Sequence, residues 1–366
     1  MPLTKREGCE ARGMQSLLAQ STMPQPVSIH PASLRPELPL RIEQTGKFLP
    51  ARVVTADEVD ILANRPGGWT LRHTGVLERR FVTGETSAFM GAAALQDALG
   101  QASNRRPDLL ISAGGTPHQP IPCTASLIAR EMGWFGLPCF DVNATCLGFI
   151  PALEIAASFM AAGKYERIAI VCSEIASKGL NWAQPEAAGL MGDGAAAVVV
   201  TAANQDDLHP TPALLASGLE TWPEGASLTE IRGGGTALPA TRYLAGENEA
   251  DFLFHMDGPG VFRLAAERIE AFVAGLIGDA PDRWEGVDLV IPHQGSLLAM
   301  RHLRQRIGIP TEKLIEIAHD HGNMIAASLP AALHEAIQQG RLRRGQTTLL
   351  LGTSAGFSLG GALLRF

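Results

Sequence analysis

Three residues of this sequence have the types and settings to activate a thioester: Cys146 in ATCLGF (144–149), His293 in PHQGS (292–296) and Asn323 in HGNMIAAS (321–328). An Ala-rich segment that reads as a helix, Pro151 to Ala162, follows Cys146. A thiol at a helix N-terminus meets free backbone N–H groups and the positive end of the helix dipole, which favour thiolate. The same N–H groups can receive the oxyanion of a tetrahedral intermediate. Gly148 permits close approach by another stretch of chain. A histidine and an asparagine can each point an N–H at one thioester carbonyl and together stabilise an enolate, and histidine can also move a proton. The bland reading of a cysteine is an inert buried thiol, and Cys123, Cys139 and Cys172 fit it. His319 and His321 lack a third ligand at suitable spacing, so no metal site is expected.

These residues need a frame, and the sequence supplies one twice. From Leu40 onward, short apolar runs that read as buried strands alternate with Ala-rich helical segments. DLLISAGGTPH is followed by FDVNATCLGF, a helix, Gly163 and RIAIVC; DLVIPHQGS is followed by AHDHGNMIAAS, a helix, Gly340 and QTTLLL. Cys146 precedes Gly163 by as many positions as Asn323 precedes Gly340. This places Cys146 and Asn323 at equivalent helix starts in two α/β halves, with His293 at a strand end. Strand ends and helix starts are where open α/β sheets collect ligands. Three spans result: an irregular N-terminal extension, 1–39, rich in proline, with Met14 and Met23 as possible true starts; a half carrying the cysteine, 40–206; and a half carrying histidine and asparagine, 207–366.

Bulk properties limit the alternatives. The 366 residues are 46% hydrophobic with few aromatics, enough for one large core or two fused ones. A formal net charge of −7 argues against general nucleic-acid binding. The five cysteines, Cys9 included, form neither a disulfide framework nor a finger spacing, so a reducing cytoplasm is expected. No apolar run is long enough for a membrane span, and Lys5 and Arg6 have no apolar run behind them to make a secretory signal.

Taken in order, TGKFLPARVVT (45–55), GWTLRHTGVLERR (68–80), ATCLGF, MGDGAAAVV (191–199), PHQGS, HGNMIAAS and GFSLGGALLRF (356–366) make the chain from Leu40 to Phe366 resemble the ketoacyl-acyl-carrier-protein synthase III family of the thiolase superfamily. The resemblance implies the thiolase fold, two pseudo-symmetric halves in a layered αβαβα sandwich, and a homodimer with the acyl pocket reaching the dimer interface. It implies that Cys146 carries the acyl group from acyl-CoA or acyl carrier protein. His293 and Asn323 then bind the carbonyl of malonyl on carrier protein, and decarboxylation gives the enolate for a Claisen condensation. The oxyanion donors are the N–H groups of Cys146 and of the loop near Ala355. No metal or redox cofactor is required. The Gly-Asp-Gly of 192–194 reads as a structural turn, not a nucleotide loop.

Departures from the family bear on the substrate. Trp69 matches one side of the family's adenine clamp, but its arginine is replaced by Pro185 or Glu186. Ser296 replaces an asparagine that helps hold the pantetheine arm. The glycine-rich C-terminal run is here Thr353-Ser354-Ala355-Gly356. Ile121 stands where a phenylalanine often closes the acyl pocket. These changes favour a medium-length or long acyl chain, or one borne by carrier protein. Arg301, Arg304 and Arg306 form a basic helix suited to an acidic carrier protein. Three other readings stay open: condensation of two 3-oxoacyl thioesters to a dialkyl-cyclohexanedione without decarboxylation, as in dialkylresorcinol formation; a non-catalytic ketosynthase partner subunit, against which the presence of Cys146 argues; and acyl transfer to oxygen or nitrogen.

Overall fold

The computed structural model describes residues 37–100, 105–203 and 210–366. Cys9, Met14, Met23, most of the N-terminal extension and the boundary between 206 and 207 lie outside the described residues. Alternate residues of the strand Gly194–Thr201 serve two cores: Ala196, Val198 and Val200 join one apolar cluster, and Ala195, Ala197 and Val199 another. Strand residues point alternately to opposite faces, so a strand covered on both sides reads as one unbroken apolar run. The same split occurs in Arg167–Glu174, with Ile168, Ile170 and Cys172 on one face and Ala169 and Val171 on the other.

Two five-stranded sheets result. The first runs Arg41–Phe48, Gly194–Thr201, Arg167–Glu174, Leu109–Ser112, Cys139–Asp141. The second runs Leu38–Pro39, Ala213–Thr221, Ser358–Arg365, Thr347–Ser354, Leu289–Pro292. From Arg41–Phe48 in one and Ala213–Thr221 in the other, neighbours pair antiparallel, antiparallel, then parallel. The first sheet ends on the parallel strand Cys139–Asp141, and its counterpart is a single parallel bridge from Val290 to Leu314. The helices Phe149–Ala161 and Ser328–Gln338 lie between the sheets and share one central core with both. Ser87–Leu99 and Thr124–Glu131 cover the outside of the first sheet, and Gly258–Ile277 and Leu297–Ile307 the outside of the second. This is the expected thiolase fold, a layered αβαβα sandwich of two pseudo-symmetric halves.

One boundary is corrected. Leu38–Pro39, read from sequence as part of the irregular extension, forms a short strand pairing with Leu214 and Ala213. An edge position tolerates Pro39, which has no N–H to give. The buried side chain of Leu40 anchors the end of this segment in the central core.

Candidate active site

Cys146 sits on a sharp turn. Asn143 Oδ1 accepts the N–H of Thr145 at 2.9 Å, and Thr145 adopts φ +47, a conformation that side chains other than glycine seldom take. The turn Thr145–Leu147 follows, with Leu147 fully buried, and then the helix Phe149–Ala161. A Cβ on Gly148 would stand 2.3 Å from the carbonyl oxygen of Ala113, so only glycine lets the turn lie against that loop. Strain held by surrounding packing is common where a side chain must be presented.

The second half repeats this device. Asn323 Oδ1 accepts the N–H of Ile325 at 2.9 Å, Ile325 has φ +48, and a turn Ile325–Ala327 leads into Ser328–Gln338. The counterpart of Asn323 is therefore Asn143, and that of Cys146 is Ala326. Counting back from Gly163 and Gly340 paired the wrong residues, because the second helix ends three residues earlier relative to its turn: Gln338 lies 12 positions after Ala326, and Ala161 lies 15 after Cys146. The correction carries chemistry. With Oδ1 committed to the turn, the Nδ2 amide of Asn323 is left to face outward as a donor.

His293 follows the strand Leu289–Pro292, its N–H bonded to Leu351 O at 2.7 Å. Its ring is 8% exposed, and Nδ1 has no partner among the described residues. Burial pulls its pKa down from 6.5 to about 4, so the ring is neutral at physiological pH. An orphaned buried N–H is rarer than an orphaned acceptor, which favours the tautomer with the proton on Nε2. A Cβ on Gly295 would lie 3.3 Å from His293 Nε2 and 4.0 Å from Asn323 Nδ2. The two nitrogens thus flank one point, and glycine keeps it open.

Gln294, which the sequence reading did not single out, holds this arrangement. Fully buried, it accepts the N–H groups of Ile317 (2.8 Å) and Ala318 (3.1 Å) and donates to the carbonyls of Pro292 (2.7 Å) and Ile315 (3.2 Å). It ties the histidine loop to the segment leading to Asn323. Asn323 is clasped in turn by the first half: its N–H bonds Leu190 O at 2.7 Å, and its carbonyl accepts from Gly192 at 3.0 Å. Asp193, in the Gly-Asp-Gly turn, takes the N–H of Val82 and both the N–H and O–H of Ser177.

The backbone N–H groups of Ala355 and of Cys146 itself lie close enough to the Cys146 sulfur to favour its thiolate. Thr145 Oγ1 reaches Ala355 O at 3.5 Å, joining the two turns. Cys146 keeps partial exposure, but the atoms crowded around its sulfur desolvate it, and desolvation first, then the nearby Glu174 carboxyl, push the thiol up to about 12 against those two donors, contrary to the expected stabilised thiolate. A short turn offers only part of a helix dipole, and desolvation outweighs it. At physiological pH Cys146 therefore rests as a thiol.

Glu174 is fully buried and accepts Gly115 N–H (2.6 Å), Thr116 N–H (2.9 Å) and Thr116 O–H. Burial nonetheless raises its pKa from 4.5 to about 7. The folded chain therefore binds this proton more tightly than the unfolded chain. Stability present below about pH 4.5 is lost as pH rises through about 7. Relative to wild type, Glu174→Gln is expected to gain up to about 3 kcal/mol across this window. Urea unfolding of both proteins at pH 4.5 and 8 measures it; a difference independent of pH would show that the carboxyl titrates normally.

The remaining predicted residues are scattered around this centre. Trp69 is half-buried and stacks on His73 of its own helix, ring centroids 4.2 Å apart, with the Arg65 guanidinium 5.3 Å from its ring. The Pro185–Ala188 turn packs beside that helix, so no arginine enters from 185 or 186. Ser296 Oγ caps the helix Leu297–Ile307 by accepting from Ala299 at 3.4 Å. Thr353 and Ser354 end the strand leading to Ala355. Ile121 is 84% exposed on its own chain. Arg301 pairs with Glu316, Arg304 bonds Ile309 O and Thr311 Oγ1, and Arg306 is exposed.

Comparison with known proteins decides the family. The model described as 3-oxoacyl-[acyl-carrier-protein] synthase III matches residues 140–215, and that of its C-terminal part matches 280–366. The chain is 32% identical to beta-ketoacyl-[acyl-carrier-protein] synthase III of Aquifex aeolicus, covering 89% of this chain and 99% of that one. The chain belongs to the 3-oxoacyl-acyl-carrier-protein synthase III family. The synthase III of Nitratidesulfovibrio vulgaris is 35% identical over 88% of this chain and 97% of its own. The crystal structure of the Aquifex aeolicus enzyme superposes with a TM-score of 0.78, over 89% of this chain and all of that one. A priming β-ketosynthase of the R1128 polyketide pathway matches at 27% identity and a TM-score of 0.77, over 90% and 96% of the two chains. This synthase III is an acyl-transferring condensing enzyme of the thiolase fold.

Proposed function

We propose that Cys146 takes an acyl group as a thioester, the donor's own C–S bond breaking and its departing thiolate taking up the Cys146 proton, and that His293 and Asn323 hold the carbonyl of a malonyl thioester on carrier protein. Loss of CO2 leaves an enolate at C2. The enolate attacks the acyl carbonyl, the C–S bond to Cys146 breaks, its thiolate takes up a proton from solvent, and a 3-oxoacyl thioester leaves. The N–H groups of Cys146 and Ala355 receive the oxyanion. The observation that carries this reading is the pairing of two sets of donors, two N–H groups on the sulfur and two side-chain nitrogens on one point beside Gly295. Intact-protein mass spectrometry with short and long acyl-CoA and acyl-carrier-protein donors, followed by malonyl carrier protein, tests it. Acylation without a carbon–carbon product would indicate transfer to oxygen or nitrogen; no acylation would favour a partner subunit.

The donor is proposed to be a medium or long acyl chain, preferably on carrier protein. Trp69 supports this, since His73 already stacks on it. Exclusive loading of acetyl from CoA would count against it. For docking, Arg306 is an exposed cation of its helix; Arg301, also exposed, is paired with Glu316. Arg306→Glu is expected to raise KM for the carrier-protein substrate about fivefold, with kcat and the KM for a CoA thioester unchanged. An unchanged carrier-protein KM would move the docking face elsewhere.

A homodimer is proposed through the edge of the first sheet that pairs with no further strand among the described residues. Cys139–Asp141 ends that sheet, and Phe135 (88% exposed) and Ile121 (84%) flank it. An unpaired strand edge with large apolar neighbours suits a second copy of the chain, and Ile121 would then reach the partner's acyl pocket. Phe135→Asp is expected to sediment as a monomer; a dimer surviving the change would refute this edge as the interface. No helix among the described residues is long and apolar enough to cross a membrane. The free thiols Cys123, Cys139, Cys146 and Cys172 suit a reducing cytoplasm, which cell fractionation can check.

A further inference from the structure

Glu174 is a buried carboxyl that the proposed reaction does not use. It ends the strand Arg167–Glu174, behind the cysteine turn. Its oxygens accept the N–H groups of Gly115 and Thr116 and the Thr116 hydroxyl, and the N–H of Ala326 lies close enough to favour its carboxylate. These donors belong to the backbone that supports the nucleophile. A Cβ on Gly115 would stand 3.2 Å from Thr145 Cα and 3.1 Å from Ile325 Cγ2, so this loop lies against both strained turns. Ala113, on the same loop, abuts Gly148. The carboxyl is thereby fixed where its charge and a thiolate at Cys146 oppose each other. Among the described residues no ion pair offsets that charge. Cys172, on the same strand, turns its S–H to Ala113 O at 3.5 Å. His118, farther along the loop, accepts the N–H of Ala88 at 3.3 Å. Asp193, beside the cross-strand partner Gly194, is taken up by Val82 and Ser177. The turn Ile325–Ala327 brings no titratable side chain.

The fold does not require a carboxyl here. The equivalent strand of the second half, Thr347–Ser354, ends on Ser354, which pairs with Ser358 as Glu174 pairs with Gly194. A buried carboxylate without a cation is costly, and such groups gather at functional sites. We propose that Glu174 governs the reactivity of Cys146, the thiolate forming only while Glu174 carries a proton, so that the two groups hold one proton between them; this rests on Cys146 being the nucleophile. Glu174 acts through the sulfur and touches no substrate. Burial keeps its proton in place up to about pH 7. Below that pH, thiolate should rise about tenfold per unit, as for any thiol. Above it, the thiolate forms only as Glu174 takes up a proton. The number of bound protons then stays the same, and the thiolate population levels off. A buried thiol acting alone, with its pKa near the about 12 of Cys146, would keep rising. Acyl loading thus becomes indifferent to pH above neutrality.

The test is the rate at which Cys146 displaces iodide from iodoacetamide, located by peptide mass, between about pH 5.5 and 8.5. Wild type is expected to gain about tenfold per unit up to about pH 7 and then to level off. Glu174→Gln should match it at the acid end, keep rising, and exceed it about thirtyfold at the alkaline end. Thr116→Val removes one donor from the carboxylate and should move the break above pH 7, which keeps the test in hand if the glutamine variant folds poorly. A wild-type profile without a break overturns this inference. So does a break that neither variant moves, because a structural role would change the rate equally at every pH. Octanoyl-CoA and octanoyl carrier protein are tried as donors beside it. Failure of both to acylate Cys146 would count against the proposed reaction, while the alkylation profile still decides the role of Glu174.

Discussion

Cys146→Ala is expected to lower condensation by about a thousandfold or more and to remove every acyl adduct from the protein. The sulfur has no substitute nearby. Cys172, the other cysteine beside Glu174, is fully buried in the central core, and burial pushes its thiol well above the usual range. The variant should fold normally. Alanine is the residue that the second half uses at the corresponding turn position, Ala326, where the same strained backbone is built. Intact mass after incubation with the best donor reads the outcome directly. A surviving adduct would place the acyl group on another residue, and the proposed reaction would have to be rebuilt around it.

Removing either nitrogen of the carbonyl-binding pair should separate the two half-reactions. His293→Ala and Asn323→Ala are each expected to slow condensation by about 10² to 10³, the usual loss for one oxyanion donor. The acyl-enzyme should still form, because the N–H groups beside the sulfur belong to Cys146 and Ala355. A synthase that loads and then stalls is the diagnostic result, visible as an acyl-Cys146 mass that persists after malonyl carrier protein is added. Equal loss of loading and condensation would mean that the pair serves the acyl group itself. The two variants should differ in side effects. Asn323 also caps its own turn, so its loss frees the N–H of Ile325 and should lower stability by about 1 kcal/mol. His293 has no such duty, since its Nδ1 has no partner and its backbone bond to Leu351 survives substitution.

The duplication was legible because strand and helix periods repeat in order: the strands after Asp108 and Asp288, the glycines 163 and 340, and the paired motifs between them. Its register was not. Shortening a helix alters spacing in the sequence without disturbing the turn at its start, so counting from the far end misaligned Cys146 with Asn323. The positive φ values of Thr145 and Ile325 supplied the true alignment. Gln294 was hidden for a different reason. A buried amide earns its place through partners more than twenty positions away, and no local pattern records them.

By itself, the sequence determined the family, through motifs recurring in order along the chain, and the layered α/β plan, through apolar runs of strand and helix length. Those properties depend on residue type and on near neighbours. The tertiary structure decided what depends on distant groups brought together in space. It set the charge states, because desolvation overrode the turn's N–H groups at Cys146 and held His293 neutral. It brought nitrogens of His293 and Asn323 within 4.0 Å of one point beside Gly295. It stacked Trp69 on His73 and tied back Arg301 and Arg304.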